Sequence, residues 1–251
     1  MAAEPSPDVS YVRGADQPPL REDTIGAALD EAARRWGERE AVVSVAQGVR
    51  WTFAELAARA DAVAAGLLAL GLTQGERIGI WSPNNAEWVL TQFAAAKAGL
   101  ILVTINPAYR ASELEYTLNK VGVKALVAAC AFKTSNYAEM VEALAPEIAG
   151  SAPGRITAAA LPHLRAVIKI GGSPRSGWLD FDAVAGLGRP RDAAALKALA
   201  PSLRNNEAIN IQFTSGTTGL PKGATLSHRN ILNNGYFLGF AIGLREGDRL
   251  C

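Results

Sequence analysis

The hydrophobic pattern of the chain alternates between strand-like and helix-like segments. Short, continuously apolar runs predict strands, and stretches with apolar residues at helical spacing predict helices. Apolar strands separated by amphipathic helices are typical of βαβ units, so the predicted fold class is α/β with a buried, largely parallel sheet. The predicted strands cover residues 77–81, 100–105, 125–128 and 166–170, and the predicted helices cover residues 24–36, 52–71, 86–99, 112–121 and 135–148.

Helix-start signals refine these boundaries. Thr52 with Glu55, and Ser112 with Glu115, have the spacing of capping boxes, in which a hydroxyl and a carboxylate satisfy free amides of the first turn. Residues 1–22 carry four prolines and no periodic pattern, which predicts an irregular lead-in before a domain that covers residues 23–251. The section from 150 to 206 is rich in Ala, Gly and Pro and predicts short helices and loops.

The overall charge does not favour a polyanionic partner. Twenty-five basic and 24 acidic side chains leave a formal charge of +1. No block of like charge is present, so neither nucleic acid nor an anionic membrane surface is an expected partner. A nucleotide site would therefore have to work through local geometry rather than through the overall field of the protein.

Cysteine usage and the N-terminal composition indicate a reducing, cytoplasmic location. The two cysteines, Cys130 and Cys251, are far apart in the sequence, and only two histidines are present, which makes a His/Cys metal site improbable. Residues 1–22 contain four acidic residues and no apolar run, unlike a signal or transit peptide. The most apolar stretch, residues 94–105, is too short to span a bilayer.

One segment has the composition of a phosphate-binding loop. An apolar strand at residues 209–213 leads into ten residues with four hydroxyls, three glycines and one lysine, followed by a second short strand and a helix that Ser227 is expected to cap. The ten residues are Thr214-Ser215-Gly216-Thr217-Thr218-Gly219-Leu220-Pro221-Lys222-Gly223.

These residue types match the needs of a polyphosphate. Gly216, Gly219 and Gly223 are expected to adopt positive φ and let the main chain approach a ligand, so that successive amides form an anion-binding concavity. The hydroxyls add donors, and Lys222 adds a positive charge. Each charge-assisted hydrogen bond contributes about 1.5–3 kcal/mol, so several together would hold a triphosphate. The alternative is an ordinary Gly/Thr-rich surface turn.

Two other nucleotide motifs do not fit this segment. A Walker A loop needs glycine directly before the lysine, where Pro221 stands, and the spacing GxGxxG is absent. Because a strand follows the glycines, the phosphates would be held by the loop itself rather than by a helix N-terminus.

The ten residues resemble the signature of the AMP-binding, adenylate-forming superfamily at every motif position. Further segments are similar to the medium-chain fatty acyl-CoA synthetases, the group called acyl-CoA synthetase family member 2. These segments are residues 95–103, 105–109, 113–116, 132–134, 209–213 and 224–228. The resemblance covers about residues 24–251.

The resemblance implies a two-step ligase that uses ATP, Mg²⁺ and coenzyme A. A medium-chain fatty acid carboxylate attacks the α-phosphorus of Mg-ATP to give an acyl-adenylate and pyrophosphate, and the thiol of coenzyme A then displaces AMP. It implies that residues 214–222 grip the β- and γ-phosphates, with Lys222 as a phosphate contact and Thr217 or Thr218 as a possible Mg²⁺ ligand.

Cys251 falls about halfway through a typical member of this family, so the chain is expected to be an N-terminal part that lacks complete activity by itself. Two alternatives remain open. The substrate carboxylate could belong to an aryl or amino acid, or the chain could be a non-catalytic ATP-binding protein or one half of a split enzyme that associates with a separate C-terminal half.

Overall fold

The structure of the protein is a computed structural model that describes residues 17–214 and 221–251. Within these residues the chain forms eight α-helices and eleven strands. The helices are α1 (Ile25–Trp36), α2 (Phe53–Ala69), α3 (Ala86–Lys97), α4 (Ala111–Val121), α5 (Tyr137–Leu144), α6 (Phe181–Val184), α7 (Pro190–Leu199) and α8 (His228–Ala241). The strands are β1 (Glu40–Ser44), β2 (Val49–Thr52), β3 (Arg77–Trp81), β4 (Ile101–Thr104), β5 (Val123–Ala129), β6 (Ala131–Phe132), β7 (Ser135–Asn136), β8 (Ala166–Ile170), β9 (Leu179–Asp180), β10 (Ala208–Thr214) and β11 (Lys222–Ser227).

The main sheet of the described residues has seven strands in the order β11-β10-β4-β3-β5-β8-β9. All neighbouring strands run parallel except β10 and β11, which form an antiparallel pair at one edge. The hairpins β1–β2 and β6–β7 lie apart from this sheet. The predicted α/β class with a largely parallel sheet is confirmed.

Both faces of the main sheet are buried, which explains why its strands are apolar throughout. Side chains alternate between the faces: Leu102 joins the core under α2 and α3, whereas its neighbour Val103 joins the core under α4 and α5. Complete burial of a leucine of this kind contributes about 1.5–3 kcal/mol. The two cores hold the strands in register and so fix where their ends lie.

One of the two predicted capping boxes is present. The Thr52 hydroxyl accepts from the amide of Glu55, and the Glu55 carboxylate accepts from the amide of Thr52. The prediction for Ser112 is wrong, because α4 begins at Ala111 and Ser112 already lies in its first turn. The Glu113 carboxylate instead accepts from the Arg110 amide at 3.1 Å.

The helix predicted over residues 135–148 is shorter in the structure. Asn136 caps the start of α5 by accepting from the amide of Glu139, and the helix ends at Leu144. Pro146 explains the early end, because a proline disfavours helical geometry in the residue before it. Ala145 accordingly has φ −140° and ψ 72°, and a short 3₁₀ turn follows over Pro146–Gly150.

The irregular section after residue 150 packs onto the same core as the regular elements. Phe181, Val184 and Leu196 contact the cluster formed by α2, α3 and the sheet. Its elements, β9, α6 and α7, are short, as the composition indicated. In the part of the chain that the structure describes, no helix combines the length and the apolar character needed to cross a membrane.

Candidate functional site

The ten-residue motif lies at the turn of the hairpin formed by β10 and β11. Thr214 and Lys222 are paired directly across the hairpin. The strands predicted on either side of the motif are thus confirmed. Of the predicted site residues, Thr214, Pro221 and Lys222 are described, and the others lie outside the described residues: Ser215, Gly216, Thr217, Thr218, Gly219 and Leu220.

The strand register places this hairpin turn at the carboxyl edge of the parallel sheet. Gln212 of β10 pairs with Thr104 of β4, and Thr104 pairs with Ile80 of β3. Thr214, two residues further along β10, is therefore level with Asn106 after β4 and Ser82 after β3. Ligands of open α/β sheets bind outside the carboxyl ends of the strands, and the motif lies at that end.

Two of the three described site residues are open to solvent. Thr214 and Lys222 are both exposed. The Thr214 hydroxyl donates to the Lys222 carbonyl at 3.4 Å, a contact across the base of the turn. Among the described residues, none of the ion pairs involves Lys222.

The expectation for Gly223 is wrong. Gly223 lies inside β11, opposite Phe213, and is absent from the glycines with positive φ. A Cβ at this position would lie 3.0 Å from the Cγ2 of Ile211. The glycine at 223 therefore allows close packing within the hairpin and does not shape a left-handed turn.

Tyr116 of α4 contacts both flanks of the motif, and sequence reasoning did not identify this role. Its hydroxyl donates to the carbonyl of Pro221 at 3.3 Å. Its ring meets the ring of Phe213 edge-on, with centroids 6.5 Å apart and an interplanar angle of 76°. Tyr116 is 105 residues from Pro221 in the sequence, so no local spacing signals the contact.

His228, directly after β11, has a structural role. The side chain is buried, and its Nδ1 accepts from the amide of Ile25 at 3.1 Å. Burial lowers the pKa of His228 to about 4, although the Glu207 carboxylate acts in the opposite direction. The imidazole is therefore neutral at pH 7 and joins α8 to the start of α1.

The turn over residues 106–109, at the same edge of the sheet, is held by buried aromatic residues. Trp81 Nε1 donates to the Asn106 carbonyl at 3.1 Å, and the Tyr137 hydroxyl donates to the Pro107 carbonyl. The rings of Trp81 and Tyr137 stack with centroids 3.6 Å apart. Burial raises the pKa of Tyr137 to about 12. This hydroxyl therefore stays protonated and acts as a donor that fixes the turn.

A groove of about 660 Å³ lies away from the hairpin, between α1 and α7 along α2. Its wall contains Lys97, which is buried and forms ion pairs with Asp30 and Asp61. Asp30 lies on α1, Asp61 on α2 and Lys97 on α3. The ion pairs therefore connect three helices, which explains a buried lysine in an otherwise apolar region.

Within residues 17–214 and 221–251, no group of three His, Cys, Asp or Glu side chains is placed to hold a metal ion. Mg²⁺ in nucleotide sites is held largely by phosphate oxygens and water, with few protein ligands. The hydroxyl-rich motif is compatible with that donor set. The two candidate ligands, Thr217 and Thr218, lie outside the described residues.

Comparison with known proteins assigns the chain to a family. The family described as AMP-binding enzyme matches residues 29–251. The chain therefore belongs to the AMP-binding enzyme family.

The chain is 46% identical over 247 residues to the medium-chain acyl-CoA ligase ACSF2, mitochondrial, of Homo sapiens, covering 98% of this chain and 40% of that protein. It is 45% identical over 249 residues to the protein of the same name from Danio rerio, covering 98% and 41%. The chain thus spans about 40% of the length of the curated relatives it matches.

A solved long-chain-fatty-acid-CoA ligase (FadD1) from Archaeoglobus fulgidus has the same fold. The TM-score is 0.70 at 24% identity, over 95% of this chain and 44% of that one. This likeness supports the parallel sheet and its helical layers.

Proposed function

We propose that the chain supplies the ATP-phosphate site of a medium-chain fatty acid–CoA ligase. The observation that carries the proposal is the hairpin turn at the carboxyl edge of the sheet, where Thr214 and Lys222 face each other and are exposed. Residues Thr214 to Lys222 would surround the β- and γ-phosphates with amides, hydroxyls and the Lys222 ammonium. The names of the vertebrate relatives support the ligase class and the medium-chain substrate.

The proposed reaction has two steps. The fatty acid carboxylate forms a bond to the α-phosphorus of ATP, and pyrophosphate leaves. The thiol of coenzyme A then forms the thioester and AMP leaves. The phosphate loop contributes by aligning pyrophosphate and neutralising the charge that develops on it. Mg²⁺ would arrive with ATP and be held mainly by the phosphates, with the Thr217 or Thr218 hydroxyl as a protein ligand.

The role of Lys222 is tested by titration of the chain with Mg-ATP in a calorimeter. We expect Lys222→Ala to weaken binding by about 10- to 100-fold, because a charge-assisted hydrogen bond of about 1.5–3 kcal/mol is lost. Lys120→Ala is the matched control, since Lys120 is an exposed lysine on α4. Equal affinities of the two variants would remove Lys222 from the site.

A second candidate function is that of one half of an enzyme that requires another polypeptide. Apolar side chains on and after α8 are exposed, among them Phe240 at 66% and Leu250 at 71%. Such surfaces favour association with a partner. The expected partner is a C-terminal half corresponding to the remaining part of the relatives.

Pyrophosphate exchange with octanoate separates these proposals. Exchange that begins only when the C-terminal half is added would support the split-enzyme proposal, whereas exchange by the lone chain would contradict the expected dependence on that half. Mg-ATP binding without exchange in either mixture would indicate a non-catalytic nucleotide-binding protein. Faster exchange with benzoate or an amino acid than with octanoate would favour the alternative substrate classes.

Domain limits and cellular location stay proposals. We propose a domain over residues 23–251 after a lead-in over residues 1–22. Glu22, at the boundary, forms an ion pair with Arg229 on α8 at 3.0 Å. The cytoplasmic location rests on the acidic composition of residues 1–22, and the vertebrate relatives are named as mitochondrial proteins. Imaging of a tagged full-length protein would decide between the two compartments.

A further inference from the structure

Two contacts connect α4 to the flanks of the phosphate motif. On one side, the Tyr116 ring packs edge-on against Phe213, the residue directly before Thr214. On the other side, the Tyr116 hydroxyl donates to the carbonyl of Pro221, the residue directly before Lys222. A single side chain thus contacts the chain where it enters the motif and where it leaves.

Helix α4 is a rigid support for this side chain. Leu114 and Leu118, on either side of Tyr116 in the helix, are fully buried in the core under the sheet. The start of α4 is fixed by the Glu113 carboxylate on the Arg110 amide. Tyr116 is half-buried at the flank of this helix, so its ring and hydroxyl are held in one place relative to β10.

The Pro221 contact bears directly on Lys222. The carbonyl that Tyr116 holds belongs to the peptide bond that precedes the Lys222 amide. Because the peptide unit is planar, a hydrogen bond to this carbonyl also restrains the direction of the Lys222 amide. The Thr214 hydroxyl on the Lys222 carbonyl fixes the next peptide. Both peptides around Lys222 are therefore held by side chains.

We propose that Tyr116 is a positioning residue that holds the two described flanks of the phosphate motif, at Phe213 and Pro221, for binding of the triphosphate of ATP. The proposal rests on the proposed nucleotide function of the hairpin. Tyr116 itself is not proposed to touch the nucleotide. Tyr116 lowers the conformational freedom of the two flanks in the free protein. Less conformational entropy is then lost when the phosphates bind.

Amide hydrogen exchange of the nucleotide-free chain tests the positioning role independently of ATP. We expect Tyr116→Phe, which keeps the ring and loses the hydroxyl, to speed exchange in peptides covering residues 208–227 by about two- to tenfold, the effect of one lost hydrogen bond. Tyr116→Ala, which also loses the contact with Phe213, should give a larger change. Tyr236→Phe is the control, since this tyrosine is exposed on α8. Unchanged exchange in Tyr116→Phe would overturn the proposal.

Titration with Mg-ATP provides the second readout. We expect Tyr116→Phe to weaken binding about two- to tenfold, while the melting temperature falls by no more than about 4 °C. Tyr116→Phe should bind more tightly than Tyr116→Ala, and Tyr236→Phe should match the wild type. Wild-type affinity in Tyr116→Phe would overturn the positioning role and leave the nucleotide site intact. A different outcome is that Tyr116→Phe speeds amide hydrogen exchange as expected but the wild-type chain does not bind Mg-ATP. That outcome would overturn the nucleotide site, and with it the positioning role of Tyr116 toward ATP.

Discussion

His228 shows how a polar residue beside a proposed site can serve the fold alone. The side chain is only 1% exposed, and its Nδ1 atom accepts from the Ile25 amide. Because burial disfavours the imidazolium, the pKa of His228 is lowered to about 4. In the unfolded chain a histidine has its ordinary pKa near 6.5. The difference links the stability of the protein to pH.

The sign of this linkage gives a prediction. As the pH falls from about 6.5 to about 4, the unfolded imidazole binds a proton and the folded one does not, so the free energy of unfolding falls. We expect urea denaturation to show a decrease of about 1–2 kcal/mol between pH 7 and pH 5. His228→Gln, whose amide oxygen can accept from Ile25, should be nearly independent of pH over this interval. The exposed His163 is the control, and His163→Gln should keep the wild-type dependence. A His228→Gln variant with that same dependence would contradict the assignment.

The sequence pattern predicted which helices and strands are present better than it predicted the residues at which they begin and end. Strands 77–81 and 166–170 match β3 and β8, because a run of apolar residues buried on both faces has few alternatives. Helix starts were less certain. Ser112 with Glu115 has capping-box spacing, and only the three-dimensional path of the preceding turn selects Glu113. Pro146, by contrast, was a visible signal for the end of α5.

Gly66 in α2 was also beyond prediction from the sequence. Helix propensity alone favours alanine over glycine by about 1 kcal/mol. In the structure, a Cβ on Gly66 would lie 2.0 Å from the Val184 carbonyl oxygen, a contact made by a residue 118 positions away. The glycine therefore exists to let α6 approach the backbone of α2.

Two glycine-to-alanine changes test this reasoning, because they are expected to change the free energy of unfolding in opposite directions. We expect Gly66→Ala to lower the free energy of unfolding by about 1–3 kcal/mol or more, because α6 must move. Gly235→Ala, in α8, should raise it by about 0.5–1 kcal/mol, because no atom lies within 4 Å of the added Cβ. Urea denaturation measures both. Stabilisation by Gly66→Ala would show that α6 does not pack against α2 as described.

At the scale of the whole molecule, the order of strands determines the site. The motif in residues 214–223 identified the family because it matches the family signature at every motif position. The position of β10 beside β4 joins segments about a hundred residues apart, and local patterns contain no information about that pairing. For the same reason the sequence did not predict the contact between Tyr116 and Pro221. The family could be identified from ten consecutive residues, whereas the surroundings of those residues depend on which strands pair in the sheet.

The exposed apolar side chains at the end of the chain give a prediction about association. Leu238, Phe240 and Ile242 on and after α8 are 54%, 66% and 54% exposed. Apolar surface of this kind favours association. Strand β11 lies at the edge of the described sheet, a position that also favours pairing with another chain. We expect sedimentation velocity to show concentration-dependent association of the 251-residue chain at neutral pH, where its formal net charge of only +1 offers little repulsion.

Replacing Leu238, Phe240 and Ile242 together by serine should shift the chain toward the monomer without lowering the melting temperature, because these side chains contribute little to the core. Val45→Ser is the matched control: Val45 is 86% exposed and lies in the turn between β1 and β2. The added C-terminal half proposed above should compete with self-association, since both would cover the same apolar side chains. Equal association of the triple variant and the wild type would locate the contact elsewhere, and the split-enzyme proposal would then lose its structural support.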